Sequence, residues 1–348
     1  MSKSRKLIVI IFKSLLIIFL VVSFNLLMMP KYISENYDGR IVAEFYREKA
    51  PVDVLFLGSS TVYSGISPIK LYEDYGIASY VLASSSQTSW DSYYLLVEAL
   101  KSGKPSLVVL DIGFMNQAED YAEEVSNRKL FDYMKPSKNK FDAIKVAKAA
   151  DENNWDYILP VLRYHERYKD LSIDDIKYLY YKPDVTYNGY IMNWNISESI
   201  ESTALTLDNA ADMSLNPKNA EYLQKIITLC NNEGIKLLLV KTPSYSAKWG
   251  HTFENDIIAT AAAGGINYLN FDNYQDKMNL NWYTDSPDGG GHLNIIGAEK
   301  YTYCLGAVLE ENYELPDRRE DSVYSAIYNE KLDRYNNDKL EKIAQFGR

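Results

Sequence analysis

The sequence predicts an α/β fold built on a parallel sheet of about five strands. Short apolar runs, typical of strands that are buried on both faces, recur along the chain. Helix-like segments lie between them, and this alternation favours a parallel sheet with helices on both faces. Ligands bind such sheets beyond the carboxyl ends of the strands. The predicted strands lie at residues 53–58, 79–83, 106–111, 235–243 and 266–272.

The composition is that of a globular, acidic protein. The chain has 348 residues, 47% of them hydrophobic, which is enough for a sizeable core. Its formal net charge is −10. Nucleic-acid binders rely on clustered Lys and Arg, so we expect no nucleic-acid partner.

The first 30 residues are a separate hydrophobic segment. Lys3, Arg5 and Lys6 precede an apolar run from Leu7 to Met29 in which Lys13 is the single charged residue. As a helix this run spans roughly 34 Å, enough to cross a bilayer. A cleaved signal peptide is the alternative, but the run is long and no small-residue cleavage site follows it. We therefore expect an uncleaved anchor at the cell membrane, with a cytoplasmic N-terminus and the rest of the chain outside.

The patterns also divide the chain into segments. Between about residues 116 and 218 there are helix-like pieces but no clear buried strand, which indicates a mostly helical insertion. The end of the chain is dense in charge and Asn, as in a solvated helix or a partly ordered tail. The expected segments are an anchor at 1–30, a juxtamembrane linker at 31–52, an α/β domain at 53–312 and a charged tail at 313–348.

Polar residues directly follow the first predicted strand in "LFLGSSTVYSG". Gly58 ends the strand, and Ser59, Ser60 and Thr61 come next. Serines in this position usually cap the following helix. A serine acts as a nucleophile only where a base takes its proton and a carboxylate orients that base. The residues alone leave both interpretations open.

A histidine that could serve as this base stands near the end of the chain. The three histidines are His165, His251 and His292. His292 lies in "TDSPDGGGHLN", a glycine-rich loop before the last predicted helix of the sheet domain, together with Asp285 and Asp288. A base and its orienting acid can thus come from one loop. The alternative is a solvent-facing histidine in a loop that only caps the helix.

These blocks resemble the SGNH/GDSL hydrolase superfamily, and more closely its membrane-anchored, DltD-like cell-envelope branch. The resemblance rests on "LGSSTVYSGISP", "HLNIIGAEK" and the strand pattern between them, and it covers roughly residues 53–309. It implies a three-layer, flavodoxin-like sheet, with Ser60 as the nucleophile and His292 as the base. Ser59 stands where the superfamily has Asp, a variant that is familiar in this branch.

The acid of the triad departs from the superfamily's spacing. The superfamily places an Asp three residues before the histidine, where this chain has Gly289. Asp288 is one residue further away and Asp285 four. Because glycines tolerate unusual backbone conformations, the loop can bulge and bring Asp288 to His292. We therefore prefer Asp288 and keep Asp285 as the alternative.

The oxyanion donors are less well matched. The superfamily takes them from the nucleophile's own amide, from a Gly in its second block and from an Asn in its third. Here the loop after the second strand offers Ser85 and Gln87 in place of the Gly, and Asn116 follows the third strand. Ser59 is a further candidate for oxyanion or substrate binding. A plain turn at residues 84–86 is the alternative.

The insertion contains "RYHERYKDL", similar to a Tyr-His-x-Arg run in the envelope branch. The resemblance implies that Arg163, His165 and Arg167 bind an anionic or hydroxyl-rich acceptor, as Arg side chains often do. The alternative is an ordinary helix whose basic residues pair with Glu166, Asp170 and Asp174.

The resemblance implies an extracytoplasmic serine acyltransferase or esterase, anchored in the membrane. It would act on a cell-envelope polysaccharide or a teichoic-acid-like polymer through an acyl-enzyme on Ser60. A polytopic membrane O-acyltransferase is the partner implied by the branch. We expect no metal and no cofactor, because the histidines are scattered and no ligand spacing occurs. The alternative is a catalytically inactive subunit that retains the fold and serves as a scaffold or binding module in an acylation or export complex.

Overall fold

The computed structural model of the chain describes residues 3–30, 39–117, 120–182, 184–197, 214–245 and 249–346. The strands are β1 (Val54–Gly58), β2 (Ser79–Ala83), β3 (Leu107–Asp111), β4 (Lys236–Lys241) and β5 (Asn267–Asn270). The helices before the insertion are α1 (Lys3–Met28), α2 (Arg40–Phe45), α3 (Ser60–Gly65), α4 (Pro68–Tyr75) and α5 (Ser89–Ala99). Within it are α6 (Glu124–Phe131), α7 (Lys138–Ala147), α8 (Asn154–Ile158), α9 (Val161–Tyr164) and α10 (Ile173–Tyr180). The rest are α11 (Pro217–Glu233), α12 (His251–Gly264), α13 (Gln275–Met278), α14 (Ile295–Asn312) and α15 (Ser322–Phe346).

The five strands form one parallel sheet in the order β2-β1-β3-β4-β5. The pairing of β1 with β2 runs in register from Val54 opposite Ser79 to Gly58 opposite Ala83. This order is that of flavodoxin-like, doubly wound sheets, whose ligand crevice lies where the strand order changes direction. The predicted α/β fold class is therefore confirmed, and the crevice is expected at the carboxyl end of β1.

Helices cover both faces of the sheet, which gives three layers. Along β1, Leu55 and Leu57 pack into one apolar cluster with α2, α5, α7, α11 and α12. The alternate residues Val54 and Phe56 pack into a second cluster with α3, α4, α14 and α15. Because successive side chains of a strand point to opposite faces, a strand buried on both faces must be apolar throughout. This explains the continuous apolar runs in the sequence.

An extended segment at residues 184–197 covers the free edge of β2. The carbonyl of Asn188 accepts a hydrogen bond from the amide of Val81 at 2.9 Å, and its side-chain amide donates to the carbonyl of Ser79. Gly189 has a φ of 87°, and a Cβ there would lie 1.9 Å from the carbonyl oxygen of Val81. Only glycine permits this close approach. The segment satisfies an otherwise open strand edge and continues toward the carboxyl end of the sheet.

The C-terminal segment is more firmly packed than the sequence suggested. We expected a solvated helix or a partly ordered tail, but α15 buries Tyr324, Tyr328 and Tyr335 against the domain. The ring of Tyr328 stacks on Tyr72 of α4 with centroids 4.2 Å apart. The segment is a helix, as one of the two alternatives had it, but it is not solvated all round, because α15 places its tyrosines on one face while most of its charged residues lie on the others.

The N-terminal helix α1 joins the rest of the protein through the insertion. It is the helix in the described part of the chain that is long and apolar enough to cross a membrane. Its C-terminal end lies against α9 and α10, and the side chain of Asn25 accepts a hydrogen bond from the amide of Val161 at 2.8 Å. The expected linker is also partly structured, since α2 buries Ile41 and Val42 in the core.

Candidate active site

Ser60 is the first residue of α3, immediately beyond the carboxyl end of β1. The turn between strand and helix depends on Gly58, which has a φ of 155°. A Cβ at this position would lie 2.5 Å from Cγ2 of Val62 and 2.7 Å from Cβ of Asp111. Because only glycine fits here, the chain can turn sharply and expose Ser60 at the strand end.

The C-terminal edge of the sheet is held by buried charges. Asp111, at the end of β3, accepts hydrogen bonds from the amides of Thr242 and Gly113 at 2.8 and 3.0 Å. Burial raises the pKa of the Asp111 carboxyl, although these hydrogen bonds oppose the effect. At the end of β4, Lys241 forms an ion pair with Asp272 at 3.0 Å. These contacts fix the strand ends against which Gly58 packs.

His292 reaches Ser60 from the opposite end of the sequence. Its Nε2 lies 2.7 Å from the Oγ of Ser60, and its Nδ1 contacts Oδ2 of Asp288. The amide of His292 also donates to Oδ1 of Asp288 at 3.0 Å. A proton on Nδ1 is shared with the carboxylate, which leaves the Nε2 lone pair free to accept the hydroxyl proton of Ser60. This is the arrangement that activates a serine nucleophile.

The loop that carries Asp288 is shaped by glycines and by Ser286. The Oγ of Ser286 accepts hydrogen bonds from the amides of Gly290 and Asp288 at 2.7 and 3.3 Å. Gly290 has a φ of 117°, and a Cβ there would lie 2.4 Å from Cβ of Tyr245. The glycines let the loop bulge, so that an Asp four residues before the histidine still reaches its ring.

The contact between Asp288 and His292 sets the charge of the candidate active site. Partial burial raises the pKa of the Asp288 carboxyl, but the hydrogen bonds and the charge of His292 outweigh that effect and hold it below its ordinary value. The carboxyl is therefore ionised at neutral pH and can stabilise a proton on the imidazole. The side chains of His292 and Asp288 are 35% and 41% exposed, so a large substrate has access to them.

Asp285, the alternative acid, has a different environment. Its side chain is fully buried and accepts hydrogen bonds from the amide of Asn281 and from Lys300 at 2.8 and 2.7 Å. Its partners do not include His292. Asp285 thus ties the loop to α14, and Asp288 is the carboxylate that contacts the histidine.

Of the expected oxyanion donors, Gln87 is occupied elsewhere. Its Nε2 donates to the carbonyl of Leu82 in β2 and to the Oγ of Ser92 in α5 at 3.4 and 3.0 Å, so both of its N–H groups are used inside the protein. The Oγ of Ser59 lies 3.2 Å from Oγ1 of Thr61. The expectation for Gln87 as a donor is not met, because the amide shapes the start of α5.

Ser85 and Asn116, two further residues expected at the oxyanion site, lie in the loops that follow β2 and β3. The Oγ of Ser85 accepts a hydrogen bond from Lys129 of the insertion at 2.8 Å. Asn116 follows a 3-10 helix at Gly113–Met115, beyond the end of β3. The backbone amide of Ser60 has no acceptor within α3, since the first N–H groups of a helix are left open. This amide, which the resemblance also names, stays the expected donor from the nucleophile itself.

The basic residues of the "RYHERYKDL" run have partners other than the candidate triad. Arg163 pairs with Glu124 at 3.0 Å. Arg167 donates to the carbonyls of Leu27, Met28 and Met29 and pairs with Asp175 at 2.6 Å. Nδ1 of His165 lies 3.0 Å from the carbonyl of Leu162. Arg167 thus holds the C-terminal end of α1, because its guanidinium satisfies the last open carbonyls of that helix. Acceptor binding by these residues stays a prediction.

A cavity that the sequence did not reveal lies beside the candidate triad. Its volume is about 580 Å³, and its lining includes Tyr63, Tyr187, Asn193, Trp194, Asn195 and Asp338. Tyr63 stands one helical turn after Ser60. Rings together with amides, the carboxylates of Asp338 and Glu341 and the ammonium of Lys342 suit a ligand rich in hydroxyl groups. The aromatic and amide residues of "YNGYIMNWN" were the only signal of this cavity in the sequence.

The extended segment that lines the cavity also contacts the two helices next to the candidate triad. The amide of Ile191 donates to the carbonyl of Tyr63 in α3 at 2.8 Å, and the carbonyl of Asn193 accepts from the amide of Ile295 at 2.8 Å. The side-chain amide of Asn294 donates to the carbonyl of Asn195 at 3.0 Å. The segment thus bridges the helix of Ser60 and the start of the helix that follows His292.

Comparison with known proteins gives only distant likenesses. No protein-family profile matches the chain, and no curated protein matches it. Among solved structures, a GDSL-like lipase from Bacteroides thetaiotaomicron is 13% identical, with a TM-score of 0.37 over 80% of this chain and all of that chain. A gut microbial diltiazem-metabolizing enzyme is 15% identical, with a TM-score of 0.27 over 77% of this chain and 49% of that one. Because both TM-scores lie below 0.5, these likenesses do not establish a family.

Proposed function

We propose that this chain is a membrane-anchored, extracytoplasmic serine esterase or O-acyltransferase that works through an acyl-enzyme on Ser60. The observation that carries the proposal is the 2.7 Å separation between Ser60 Oγ and His292 Nε2, with Asp288 on the other ring nitrogen. Three residues in this relationship have the chemistry needed to make and break an ester.

The reaction would proceed in two halves. Ser60 Oγ attacks the acyl carbonyl carbon while His292 Nε2 takes the hydroxyl proton. The bond to the leaving oxygen then breaks, and His292 returns the proton to that oxygen. In the second half, His292 removes a proton from water or from an acceptor hydroxyl, which attacks the acyl carbon and releases Ser60. Asp288 orients the imidazole and stabilises its positive charge.

The proposed acceptor is a cell-envelope polysaccharide or a teichoic-acid-like polymer. The exposed candidate triad admits a chain rather than enclosing a small molecule. Trp194 and Asn195 line the neighbouring cavity, and a flat ring next to an amide favours a sugar or polyol. Transfer would follow if the polymer hydroxyl outcompetes water for the acyl-enzyme.

The contacts of α1 favour an anchor that is retained rather than a cleaved signal peptide. Arg167 and the amide of Val161 bond to the last two turns of α1, and the hydroxyl of Tyr133 donates to the carbonyl of Pro30 at 2.9 Å. Cleavage after the apolar run would remove these partners. With the anchor in place, the proposed donor of the acyl group is a polytopic membrane O-acyltransferase that hands it over at the membrane.

One observation favours a second candidate, an inactive subunit that binds polymer in an acylation or export complex. Both N–H groups of the Gln87 side chain are used inside the protein. An oxyanion hole with fewer donors loses on the order of 100-fold in rate for each one missing.

A serine-directed fluorophosphonate probe distinguishes the two candidates. We expect the full-length protein to be labelled in the membrane fraction and Ser60→Ala to remain unlabelled. Ser64→Ala is the matched control, because its hydroxyl donates to the carbonyl of Ser60 at 2.7 Å within the same helix. Absence of labelling, together with normal polymer acylation in cells that carry Ser60→Ala, would favour the inactive subunit.

The membrane orientation has its own test. We expect alkaline phosphatase fused after Arg348 to be active outside the cytoplasm, and a tag before Met1 to stay attached to the mature chain. Loss of the tag would show that α1 is a signal peptide. Green fluorescent protein fused after Arg348 is the complementary reporter. Fluorescence of that fusion would place the C-terminus in the cytoplasm and contradict the proposed location.

A further inference from the structure

We infer that the cavity between the outer end of α1 and the domain binds the phosphate headgroup of an anionic phospholipid. This inference rests on the membrane anchoring proposed above, and it is independent of the reaction at Ser60. The cavity has a volume of about 450 Å³ and is separate from the candidate active site.

The position of the cavity matches the headgroup layer. One wall is the last turn of α1 and the residue after it, with Asn25, Leu26 and Met29. The facing walls come from α2, from residues 132–140 and from α10. A helix that spans the hydrocarbon core has its ends at the polar interface. If α1 crosses the bilayer, the cavity therefore opens where phospholipid headgroups lie.

Positive charge is concentrated in this cavity. Four basic side chains line it, those of Arg47, Lys135, Lys140 and Lys182, against the single carboxylate of Asp132. The chain as a whole has a net charge of −10. A local excess of cations on an acidic protein points to an anionic ligand.

The single carboxylate offsets only part of this charge, because it interacts with Lys140 but is shared with Arg128. Asp132 already accepts hydrogen bonds from Arg128 at 3.4 Å and from the hydroxyl of Tyr164 at 2.7 Å. Among the described residues, Lys135, Lys140 and Lys182 form no ion pair with a carboxylate.

In their direct contacts the three lysines meet neutral groups, although Lys140 also interacts electrostatically with Asp132 at longer range. Lys135 lies over the ring of Tyr46, with its Nζ 4.3 Å from the centroid, and Lys182 lies over the ring of Tyr178 at 3.6 Å. Lys140 is buried and donates to the carbonyl of Met134 at 3.2 Å. A lipid phosphate would provide the negative charge that these cations lack within the described part of the protein.

Apolar surface beside the cavity indicates a lipid as the source of the phosphate. The lining includes Met134, Ile158 and Leu179, which a free phosphate in water would not contact favourably. The same insertion also exposes large apolar and aromatic side chains, namely Trp155, Leu162, Tyr168, Ile173, Ile176 and Tyr180. Trp, Tyr and Lys together are typical of surfaces that lie at a membrane interface.

The experiment measures lipid binding to the full-length protein in detergent micelles. Dioleoyl phosphatidylglycerol or phosphatidylcholine is titrated in, and the midpoint of thermal unfolding is followed. We expect phosphatidylglycerol to raise the midpoint and phosphatidylcholine to have little effect. The double variant Lys135→Gln, Lys182→Gln should bind phosphatidylglycerol roughly 10- to 30-fold more weakly, since each Lys near an anionic lipid surface contributes about fivefold.

The matched control is the double variant Lys104→Gln, Lys138→Gln. It removes two exposed lysines that pair with Glu233 and Asp142, and it should keep the response of the wild type.

Glycerol phosphate in solution is the second arm of the experiment, and we expect it to cause no shift of the unfolding midpoint. Equal responses of the two double variants, or equal shifts with both lipids, would overturn the inference. A shift with glycerol phosphate as large as that with the lipid would overturn the lipid as its source. Ester hydrolysis by all variants should stay unchanged, which separates this result from the proposed reaction.

Discussion

Asp285 and Asp288 lie in the same loop but have different partners. Asp285 is buried and pairs with Lys300 of α14, whereas Asp288 is partly exposed and contacts the ring of His292. The sequence offers both as the acid behind the histidine. The structure separates them by their surroundings, so one carboxylate stabilises the loop and the other is available for the reaction.

Asp288→Asn should therefore lower kcat for a chromogenic ester by about 100-fold or more, because the amide neither stabilises a charged imidazole nor fixes its orientation. Asp285→Asn should retain most of the activity of the folded protein. It should instead lower the free energy of unfolding by about 1 to 3 kcal/mol, since Lys300 loses its charged partner. Steady-state hydrolysis and urea unfolding of both variants check this. A large loss of kcat in folded Asp285→Asn with normal activity of Asp288→Asn would reverse the assignment.

Trp194→Ala should separate hydrolysis from transfer. Trp194 lines the cavity beside Tyr63 and lies away from the contact between Ser60 and His292. We expect hydrolysis of p-nitrophenyl acetate to stay within about twofold, while transfer to a polysaccharide falls about tenfold, the typical effect of losing one aromatic stacking contact. The matched control is Trp155→Ala, a 59% exposed Trp of the insertion. Equal transfer by both variants would show that the cavity does not bind the acceptor.

The sequence predicted the sheet and the candidate triad because both depend on local patterns. Each strand is buried on both faces and is therefore an apolar run, and the turn at Gly58 and the glycine-rich loop before His292 are visible as short motifs. The bulge that brings Asp288 to the ring was also foreseeable, since glycines were its cause.

Features that depend on long-range contacts were not predicted. Arg167 lies in a run that suggested ligand binding, yet besides Asp175 its partners are the carbonyls of residues 27–29, which are 138 to 140 residues away. The burial of Tyr328 depends on α4 and β2, which are far from it in sequence. A pattern of residues shows which side chains can form contacts, but not which distant surface they meet.

Gly58→Ala tests whether the turn before Ser60 needs glycine. The new Cβ would collide with Val62 and Asp111, and a φ of 155° is unfavourable for any other residue. We expect a loss of about 2 to 4 kcal/mol in the free energy of unfolding. Gly103→Ala is the matched control because a Cβ there has no neighbour within 4 Å, and it should change stability by no more than about 0.5 kcal/mol. Equal urea midpoints for the two variants would contradict the steric argument.

Asp91, the acidic residue of the capping box at the start of α5, should make the stability of the protein depend on pH. Burial of Asp91, opposed by its hydrogen bonds to Thr88, raises the pKa of its carboxyl to about 6, whereas an unfolded chain has a value of about 3.9. Between these two values the folded protein keeps a proton that the unfolded chain loses. The free energy of unfolding should therefore fall as the pH rises from about 4 to about 6, by up to roughly 2 to 3 kcal/mol from this group.

The variant Asp91→Asn tests this, because its amide does not titrate. Its unfolding free energy relative to that of the wild type should rise by this amount over the same pH range. Urea unfolding of the detergent-solubilised proteins at pH 4, 5, 6 and 7 measures the difference, and a difference that stays constant over this range would show that the carboxyl is already ionised in the folded state.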